Sequence, residues 1–492
     1  MRSIVIFVLL ALPWLNPFAS GPSVAVMPWL VTLGCVALML PCLRRERLDE
    51  VMAASWLAAA LVSAELGLMQ YFGASTNLSP WVNQPLVGEA FANLRQRNQF
   101  ATLTNIGMGT LLWFAVRVGT LEQRRHWAHA GLLLAAMLLA FANAASSSRT
   151  GLLQLLLLAL LAGLWGGWRN VVIRSVILTA VASYLVSAVA LPGLAGLDPN
   201  TTGILARLGE TSRSCGSRLT LWSNVWHLIT LKPWGGWGLG NLDYAHFVTL
   251  YPSTRFCEIL DNAHNLPLHL AVELGLPAAF LICGVAGWLT IRNAPWRDAD
   301  PTRQLAWTVL TFLAVHSMLE YPLWYGPFQV ALWCSVWLLA RPRSLPSGGV
   351  KPASATPALA MSAALLLATA YAAWDYHRVS QIYLAQEQRT ERYRDDTLPK
   401  AQGSWLFRDQ VRFAELTVTP LSRANAAQIK ALSQDLLHFS PEPRVIEKLI
   451  ESATLLNQYD EAMYYLVRYR TAFPDEHLRW ASALKDQRDP VN

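Results

Sequence analysis

The stretch DNAHNLPLHLAVELGLPAAFLICGVAGWLTI (residues 261–291) places four polar side chains directly before a long apolar run. The run from Leu266 to Ile291 is long enough to cross the roughly 30 Å hydrocarbon core of a bilayer as one helix. The polar group in front of it includes His264, and an imidazole titrates near neutral pH. The stretch therefore predicts a membrane helix with an ionisable entrance.

The rest of the chain is built on the same pattern. Of its 492 residues, 53% are hydrophobic and 14% are charged, a balance that favours lipid as the solvent around much of the fold. Ten further apolar runs lie near residues 4–19, 24–41, 51–70, 100–118, 128–144, 152–168, 171–191, 305–319, 326–340 and 357–374. No small-residue cleavage site follows the first of them, which is interpreted as an uncleaved span. The prediction is an all-α polytopic membrane protein with about 11 transmembrane helices.

The orientation follows from arginines in the short loops, which all fall on one side if every run crosses. They are Arg44, Arg45, Arg47, Arg124, Arg125, Arg169, Arg174, Arg292, Arg297, Arg341 and Arg343. The positive-inside rule makes that side cytoplasmic and, if the membrane is a bacterial inner membrane, the other side periplasmic, which predicts a multi-pass protein with a cytoplasmic amino terminus and a periplasmic carboxyl terminus. The net charge of +7 is thus a topology signal, and it predicts no nucleic-acid partner because the basic residues form no continuous stripe.

This topology predicts four parts. They are N-terminal transmembrane helices (1–191), a periplasmic loop (192–264), C-terminal transmembrane helices (265–375) and a periplasmic helical domain (376–492). In the last part, two amphipathic segments flank Asn457 and Gln458, an arrangement typical of a tetratricopeptide helix pair. Cys215 and Cys257 lie in the loop, where a disulfide would persist, and both a bridge and two unpaired thiols stay open.

The periplasmic loop also contains an amphipathic segment and a glycine-rich turn. SRLTLWSNVWHLI (217–229) predicts a helix whose face of Leu219, Trp222, Trp226 and Leu228 or Ile229 lies at the membrane interface. Trp234 and Trp237 suit the same headgroup level. The turn PWGGWGLGNLDY (233–244) matches neither a P-loop nor a dinucleotide fingerprint, so it predicts no nucleotide site.

His264 is the first candidate for chemistry. Standing between the loop and a membrane run, its imidazole could contact a phosphate or take a proton from an attacking hydroxyl. The alternative is that His264 and Asn265 only cap the helix, which Asp261 or Asn262 could do instead.

Arginines on the outer side form a second group, because the positive-inside rule disfavours them there. Arg149 in SSSRTG (146–151) and Arg218 are the main candidates, since a guanidinium binds phosphate oxygens bidentately and stays charged. Other outer arginines are Arg207, Arg213 and Arg255. The alternative for all of them is snorkelling or an ion pair with Glu210, Asp243 or Glu258.

Two further polar groups lie at outer ends of apolar runs. In QRNQ (96–99), Gln96 and Gln99 could bind sugar hydroxyls, although the sequence alone favours helix capping by Asn98. In HSMLEYPLWYGP (316–327), ionisable His316 and Glu320 lie four residues apart at membrane depth, where such pairs mark functional sites or satisfy each other. Tyr321 and Tyr325 follow at a turn broken by proline. Neither HExxH nor paired cysteine spacing occurs, so no metal and no cofactor are predicted.

These motifs, in this order, resemble the O-antigen ligase and polymerase superfamily. SSSRTG, RLTLW (218–222) and AHN (263–265) carry the resemblance to the superfamily. QRNQFA (96–101), EYPLWY (320–325) and the helical tail look most like the bacterial protein O-oligosaccharyltransferases of the PglL type.

The resemblance implies a metal-independent glycosyltransferase that passes a preassembled glycan from undecaprenyl pyrophosphate to Ser or Thr hydroxyls of pilins or other exported proteins. It implies a catalytic role for His264, phosphate binding by Arg149 and Arg218, a functional amide at Gln96 or Gln99, and a functional tyrosine at Tyr321 or Tyr325. Membrane lipid surrounds such an enzyme.

The same motifs are also compatible with other functions. An O-antigen ligase would pass the same glycan to the lipid A core, and a polymerase would extend the glycan itself. The tail and EYPLWY favour a protein acceptor. A lipid-linked glycan transporter would predict internally repeated halves, and the sequence shows no such repeat.

Overall fold

The computed structural model describes residues 2–16, 26–43, 48–79, 81–83, 85–118, 125–209, 215–341 and 356–488, whose regular elements are helices. Arg44, Arg45, Arg47, Arg124 and Arg343, on which part of the predicted orientation rests, lie outside these residues. The first eleven helices are α1 (Arg2–Leu15), α2 (Val26–Met39), α3 (Leu48–Tyr71), α4 (Arg97–Val118), α5 (Arg125–Ala145), α6 (Arg149–Leu164), α7 (Val171–Leu194), α8 (Ile204–Gly209), α9 (Arg218–Leu231), α10 (Leu242–Val248) and α11 (Leu266–Leu274). The next ten are α12 (Leu276–Asn293), α13 (Pro301–Ser317), α14 (Gly326–Ala340), α15 (Thr356–Ser380), α16 (Thr397–Ala401), α17 (Arg408–Val418), α18 (Ala426–Leu436), α19 (Pro443–Leu455), α20 (Tyr459–Ala472) and α21 (Pro474–Arg488).

The chain forms two compact units. The first comprises Met1–Thr211 and Leu289–Tyr371, and the second Ser212–Trp288 and Ala372–Asn492. The boundary falls within α12 and α15, so each of these helices contributes residues to both units. The sequence predicts a division of the chain into four parts, and that division stays a prediction.

The first unit is a bundle with α4 at its centre. This helix packs against α3, α5, α6 and α13, and its first eighteen residues after Arg97 are almost all buried. Trp56, Phe100 and Phe312 are fully buried in this bundle. Because α4 carries hydroxyls and amides as well as apolar side chains, its burial places polar groups inside the bundle.

Several helices have the length and composition of membrane spans. Five of them, within the described residues, are long and apolar enough to cross a bilayer: Leu48–Tyr71, His126–Ala145, Val171–Leu194, Leu276–Arg297 and Thr356–Tyr383. Shorter apolar helices are Arg2–Leu15, Val26–Cys42, Arg149–Leu164 and Gly326–Ala340. The polytopic all-α architecture agrees with these helices, and the count of about 11 spans stays a prediction.

The run from Leu266 to Ile291, expected as one helix, is divided at Gly275 into α11 and α12. Gly275 adopts a φ of +85°, and a Cβ there would lie 2.1 Å from the carbonyl oxygen of Trp234. The Leu276 amide donates to the Pro233 carbonyl at 2.8 Å instead of continuing the helix. The prediction of a continuous span was therefore wrong, because the glycine-rich turn packs into the break.

A small core in the second unit joins α9, α10 and α11. Leu228 and Ile229 of α9 are buried in it, which corrects their expected place at the membrane interface. Trp222 and Trp237 are also turned inward, and their indole N–H groups donate to the carbonyls of Ala263 and Leu228 at 3.0 Å. Leu219, Trp226 and Trp234 are exposed, so the face available to lipid is narrower than predicted.

The carboxyl-terminal helices of the second unit form another core. α19 buries Val445, Ile446 and Leu449 on one face, and it packs against α18 and α20. Asn457 takes a φ of +61° in the turn between α19 and α20, where the sequence predicts a loop between two amphipathic helices. The likeness to a tetratricopeptide unit stays a prediction.

Candidate functional site

The QRNQ motif forms the start of α4. The Gln96 side-chain oxygen accepts a hydrogen bond from the Gln99 amide at 2.6 Å, so Gln96 caps the helix and Arg97 is its first residue. The expected capping by Asn98 was wrong, because Asn98 lies inside the first turn and its side chain binds Ser148 and Glu320. Gln99 is 6% exposed. The two glutamines therefore differ, since the Gln96 oxygen is occupied by the cap.

The SSSRTG motif forms the start of α6 in the same way. The Ser148 hydroxyl accepts from the Gly151 amide at 3.0 Å, and Arg149 is the exposed first residue of the helix. A Cβ on Gly151 would lie 2.3 Å from Asn143 Oδ1 and 2.6 Å from the Ala101 Cβ. Glycine is thus required where α6 approaches α4 and α5.

Three motifs that are distant in sequence meet at Asn98. The Ser148 hydroxyl donates to Asn98 Oδ1 at 2.6 Å, and Asn98 Nδ2 donates to Glu320 Oε1 at 3.2 Å. Asn98 is 9% exposed and Ser148 is fully buried. The first unit therefore joins QRNQ, SSSRTG and EYPLWY through one amide that sequence reasoning had treated as a cap.

His316 lies next to this network and is fully buried. Its Nδ1 is 2.9 Å from the Thr102 hydroxyl, which accepts from Gln154 Nε2 at 3.0 Å. His316 and Glu320 thus each contact a side chain of α4, which is Thr102 for His316 and Asn98 for Glu320. Thr102 and Gln154 were missed from the sequence, although polar side chains inside apolar runs were the available signal.

Tyr321 and Tyr325 flank a short 3₁₀ turn, Pro322–Trp324. Their rings stack at a centroid distance of 6.3 Å and an interplanar angle of 20°. Both are half-buried, and Tyr325 directly precedes α14. The two candidate tyrosines are therefore one stacked pair.

In the second unit, α9 begins with the same local arrangement as α6. The Ser217 hydroxyl accepts from the Thr220 amide at 3.2 Å, and Arg218 is the half-buried first residue of the helix. Cys215 and Cys257 form a disulfide, with Cα atoms 5.4 Å apart. Of the bridge and the two unpaired thiols that the sequence left open, the structure has the bridge. Arg213 and Glu210 lie outside the described residues.

His264 precedes α11 in a left-handed backbone conformation with a φ of +48°. Its amide donates to Asn262 Oδ1 at 2.9 Å, and Asn265 Oδ1 accepts from the Leu268 amide at 3.1 Å. Asn265 is therefore the cap of α11, in place of Asp261 or Asn262, and the half-buried His264 side chain does not serve as the cap.

The starts of α4, α6 and α11 share one backbone feature. The residue before the cap, which is Arg95, Ser147 or His264, has a positive φ of 59°, 51° or 48°. Such conformations in non-glycine residues are strained and concentrate at binding and catalytic sites. The strain thus falls at three of the segments selected from the sequence.

Two further outer arginines, Arg207 and Arg255, donate hydrogen bonds to backbone carbonyls. Arg207 donates to the Ser147 carbonyl at 3.1 Å, and Arg255 donates to the carbonyls of His246 and Thr249 at 2.8 and 3.1 Å. Asp243 was considered as an ion-pair partner for these arginines. Its burial raises the pKa of its carboxyl group to about 7. Among the residues that the structure describes, no group of three His, Cys, Asp or Glu side chains is arranged to hold a metal ion.

Three family models match the chain. Residues 90–114 match "Protein glycosylation ligase", residues 134–283 match "O-Antigen ligase", and residues 304–487 match "Virulence factor membrane-bound polymerase, C-terminal". The range 90–114 contains Gln96 and Gln99. The range 134–283 contains Arg149, Arg218 and His264. The range 304–487 contains the HSMLEYPLWYGP motif.

Two curated proteins of Acinetobacter baylyi are similar to the chain. A general O-oligosaccharyltransferase is 23% identical over 360 residues, which are 70% of this chain and 60% of that protein. A ComP-specific O-oligosaccharyltransferase is 27% identical over 245 residues, 49% of this chain and 42% of that protein. The aligned part of the chain thus spans about three fifths or less of each relative.

No solved structure matches the chain significantly. The apolar helices and the similarity to these proteins both indicate that this chain is a membrane protein. Separate parts of the chain are thus similar to the O-antigen ligase and protein glycosylation ligase models and to two O-oligosaccharyltransferases.

Proposed function

We propose that this protein is an oligosaccharyltransferase that moves a preassembled glycan from undecaprenyl pyrophosphate to Ser or Thr hydroxyls of exported proteins, such as pilins. The reaction takes place on the periplasmic face of the bacterial inner membrane, and it needs no metal ion. The amino terminus is then cytoplasmic, and residues 376–492 are periplasmic.

One observation carries the proposal: Arg149 and Arg218 are each the first residue of a helix capped by a serine side chain. The amino end of a helix carries partial positive charge and amides that can face an anion. A guanidinium adds full charge and a bidentate fork. We therefore assign both arginines to the phosphate oxygens of the donor.

The chemical step is a displacement at the anomeric carbon. The acceptor oxygen forms a bond to that carbon, the bond to the pyrophosphate oxygen breaks, and undecaprenyl pyrophosphate leaves with the electron pair. The hydroxyl proton passes to His264, since a neutral imidazole side chain can act as a general base. A single displacement inverts the anomeric configuration, and preorganised cations neutralise the charge that develops on the leaving group.

The remaining residues act as binding groups. Gln99 is the better of the two candidate amides for a sugar hydroxyl, because the Gln96 oxygen caps α4. The stacked rings of Tyr321 and Tyr325 offer an aromatic face of the kind that sugars pack against. Glu320 and His316 hold the polar network behind these groups, and Asn265 supports His264 by capping α11.

The test is transfer by the purified protein in liposomes that contain a labelled, undecaprenyl-pyrophosphate-linked glycan. We expect glycosylation of a pilin-like acceptor in the presence of a chelator, and no product from His264→Ala. Normal transfer by His264→Ala at an equal protein level would contradict the role of His264, and loss of transfer with the chelator would contradict metal independence.

A second acceptor in the same assay separates the related functions. The match to the O-antigen ligase model gives a specific reason to include rough lipopolysaccharide. Transfer to lipopolysaccharide but not to protein would replace the proposed acceptor and leave the donor chemistry in place. Movement of the intact lipid-linked glycan across the membrane, without cleavage of its pyrophosphate bond, would identify a transporter.

A further inference from the structure

The turn that carries His264 is held through the backbone of the residue before it. Ala263 is fully buried, its carbonyl accepts from the Trp222 indole at 3.0 Å, and its amide faces His269 Nδ1 at 3.4 Å. Both backbone groups of Ala263 are therefore bound by side chains of helices α9 and α11. The next amide, that of His264, is bound by Asn262.

His269 is itself held from the other side of its ring. Its Nε2 lies 3.4 Å from Glu273 Oε2, and both side chains are buried. Since Nδ1 accepts from the Ala263 amide, the ring proton is on Nε2 and faces the carboxyl group of Glu273. In this tautomer the two ring nitrogens of His269 join the Ala263 amide to the Glu273 side chain.

The glycine-rich turn fixes Glu273. The Gly240 amide donates to Glu273 Oε1 at 2.8 Å, and the Gly238 amide donates to the Glu273 carbonyl at 2.9 Å. Gly236 has a φ of +66°, and a Cβ there would lie 2.3 Å from the same carbonyl oxygen. A row of contacts thus runs from the glycine-rich turn through Glu273 and His269 to Ala263.

We propose that Trp222 and His269 are positioning residues for His264, with Glu273 fixing the ring of His269. The left-handed backbone of His264 is unfavourable for a residue with a side chain, so it persists only where its surroundings enforce it. The two side chains hold the peptide groups on both sides of Ala263 and thereby set the direction of the His264 imidazole. This inference rests on the proposed role of His264 in transfer.

The tryptophans of this unit provide a matched comparison. Trp222 and Trp237 are both half-buried, and each donates one indole hydrogen bond of 3.0 Å to a backbone carbonyl, but only Trp222 binds Ala263. We expect Trp222→Phe to lower kcat about tenfold with the donor KM within about twofold, because a misplaced His264 weakens stabilisation of the transition state more than binding of the donor. Trp237→Phe keeps kcat near the wild-type value while losing similar thermal stability.

A second pair of variants isolates the bond from His269 to Ala263. His269→Leu removes the acceptor, whereas His269→Asn places an amide oxygen near the former Nδ1, and both variants lose the contact with Glu273. We expect kcat to fall about tenfold or more in His269→Leu and to recover mostly in His269→Asn. Equal loss in the two variants, or equal loss in Trp222→Phe and Trp237→Phe, would overturn the proposal.

Hydrogen exchange tests the same inference without an activity assay. The amides of Ala263 and His264 should exchange at least about tenfold faster in His269→Leu and Trp222→Phe than in Trp237→Phe. Unchanged exchange and unchanged kcat, alongside an inactive His264→Ala, would reject positioning and keep the proposed function. Normal transfer by His264→Ala would reject the catalytic role of His264. Faster exchange in His269→Leu and Trp222→Phe would still support the proposal that these two side chains hold the backbone beside His264.

Discussion

Helices α6 and α9 start with nearly identical chemistry in different surroundings. In each, a serine side chain accepts from the amide three residues later, and an arginine follows that serine directly. Ser148 is fully buried and joined to Asn98, whereas Ser217 is half-buried in a segment held by the Cys215–Cys257 disulfide. The same local motif is thus supported by a buried polar network in one unit and by a covalent bond in the other.

The comparison teaches that the cap and its support are separate properties. Capping needs only a short polar side chain before the helix, which is a local feature. The support depends on which distant residues pack against the segment. Substitutions that alter only the shared motif should therefore act alike at both sites, whereas substitutions that also alter the support should not.

The largest expected effect is on catalysis. Arg149→Ala and Arg218→Ala should each lower kcat/KM about 100-fold or more, because a preorganised cation facing developing charge contributes effects of this size. Lysine at either position should restore only part of the activity, since it keeps the charge and loses the fork. Arg97→Ala is the matched control, because Arg97 is also the first residue of a capped helix but is not assigned to the donor phosphates; its guanidinium lies 3.0 Å from Glu89 Oε1. Liposome transfer assays measure all of these variants, and wild-type rates in Arg149→Ala or Arg218→Ala would refute the assignment.

Opening the disulfide should have the next largest effect. The bridge closes a segment with a sequence separation of 42, so removing it with Cys215→Ser and Cys257→Ser should cost about 3 kcal/mol of unfolding free energy. A reductant should lower the unfolding temperature of the wild type in detergent but not that of the double variant. Equal unfolding temperatures with and without the bridge would show that α9 is held by its packing alone.

The two capping serines should differ in their contribution to stability. Ser217→Ala loses a cap and should cost about 1 kcal/mol. Ser148→Ala loses a cap and also removes the buried partner of Asn98, so the cost should rise to about 2–3 kcal/mol. Thermal unfolding of the two variants side by side measures the difference. Similar shifts would mean that the buried network adds nothing to the cap.

Glycines beside the two caps give the smallest expected effect. A Cβ on Gly151 would clash with Asn143 and Ala101, so Gly151→Ala should cost about 1–2 kcal/mol. A Cβ on Gly216 would come no closer than 3.4 Å to Glu258 Oε1, so Gly216→Ala should stay within about 0.5 kcal/mol of the wild type. The same unfolding measurement decides, and a costly Gly216→Ala would show that the second segment is packed as tightly as the first.

Much of the helical architecture could be predicted from the sequence, because apolar runs and capping residues are local signals. The helix of SRLTLWSNVWHLI and the turn at Asn457 appear where their patterns predict them. The break at Gly275 could not be predicted, since it arises from the Trp234 carbonyl, which lies 41 positions earlier in the chain. Apolar composition alone does not show where another backbone enters a helix.

The candidate site divides in the same way. The sequence by itself determined which side chains are available: His264 before an apolar run, arginines beside serine caps, and amides at helix starts. Only the tertiary structure decided their contacts: Asn98, treated as a cap from the sequence, links Ser148 to Glu320, and His269 binds the amide of Ala263. The physical reason is that caps form within one helical turn, whereas the hydrogen bonds of buried amides and imidazoles are satisfied by whichever distant segments the packing brings near.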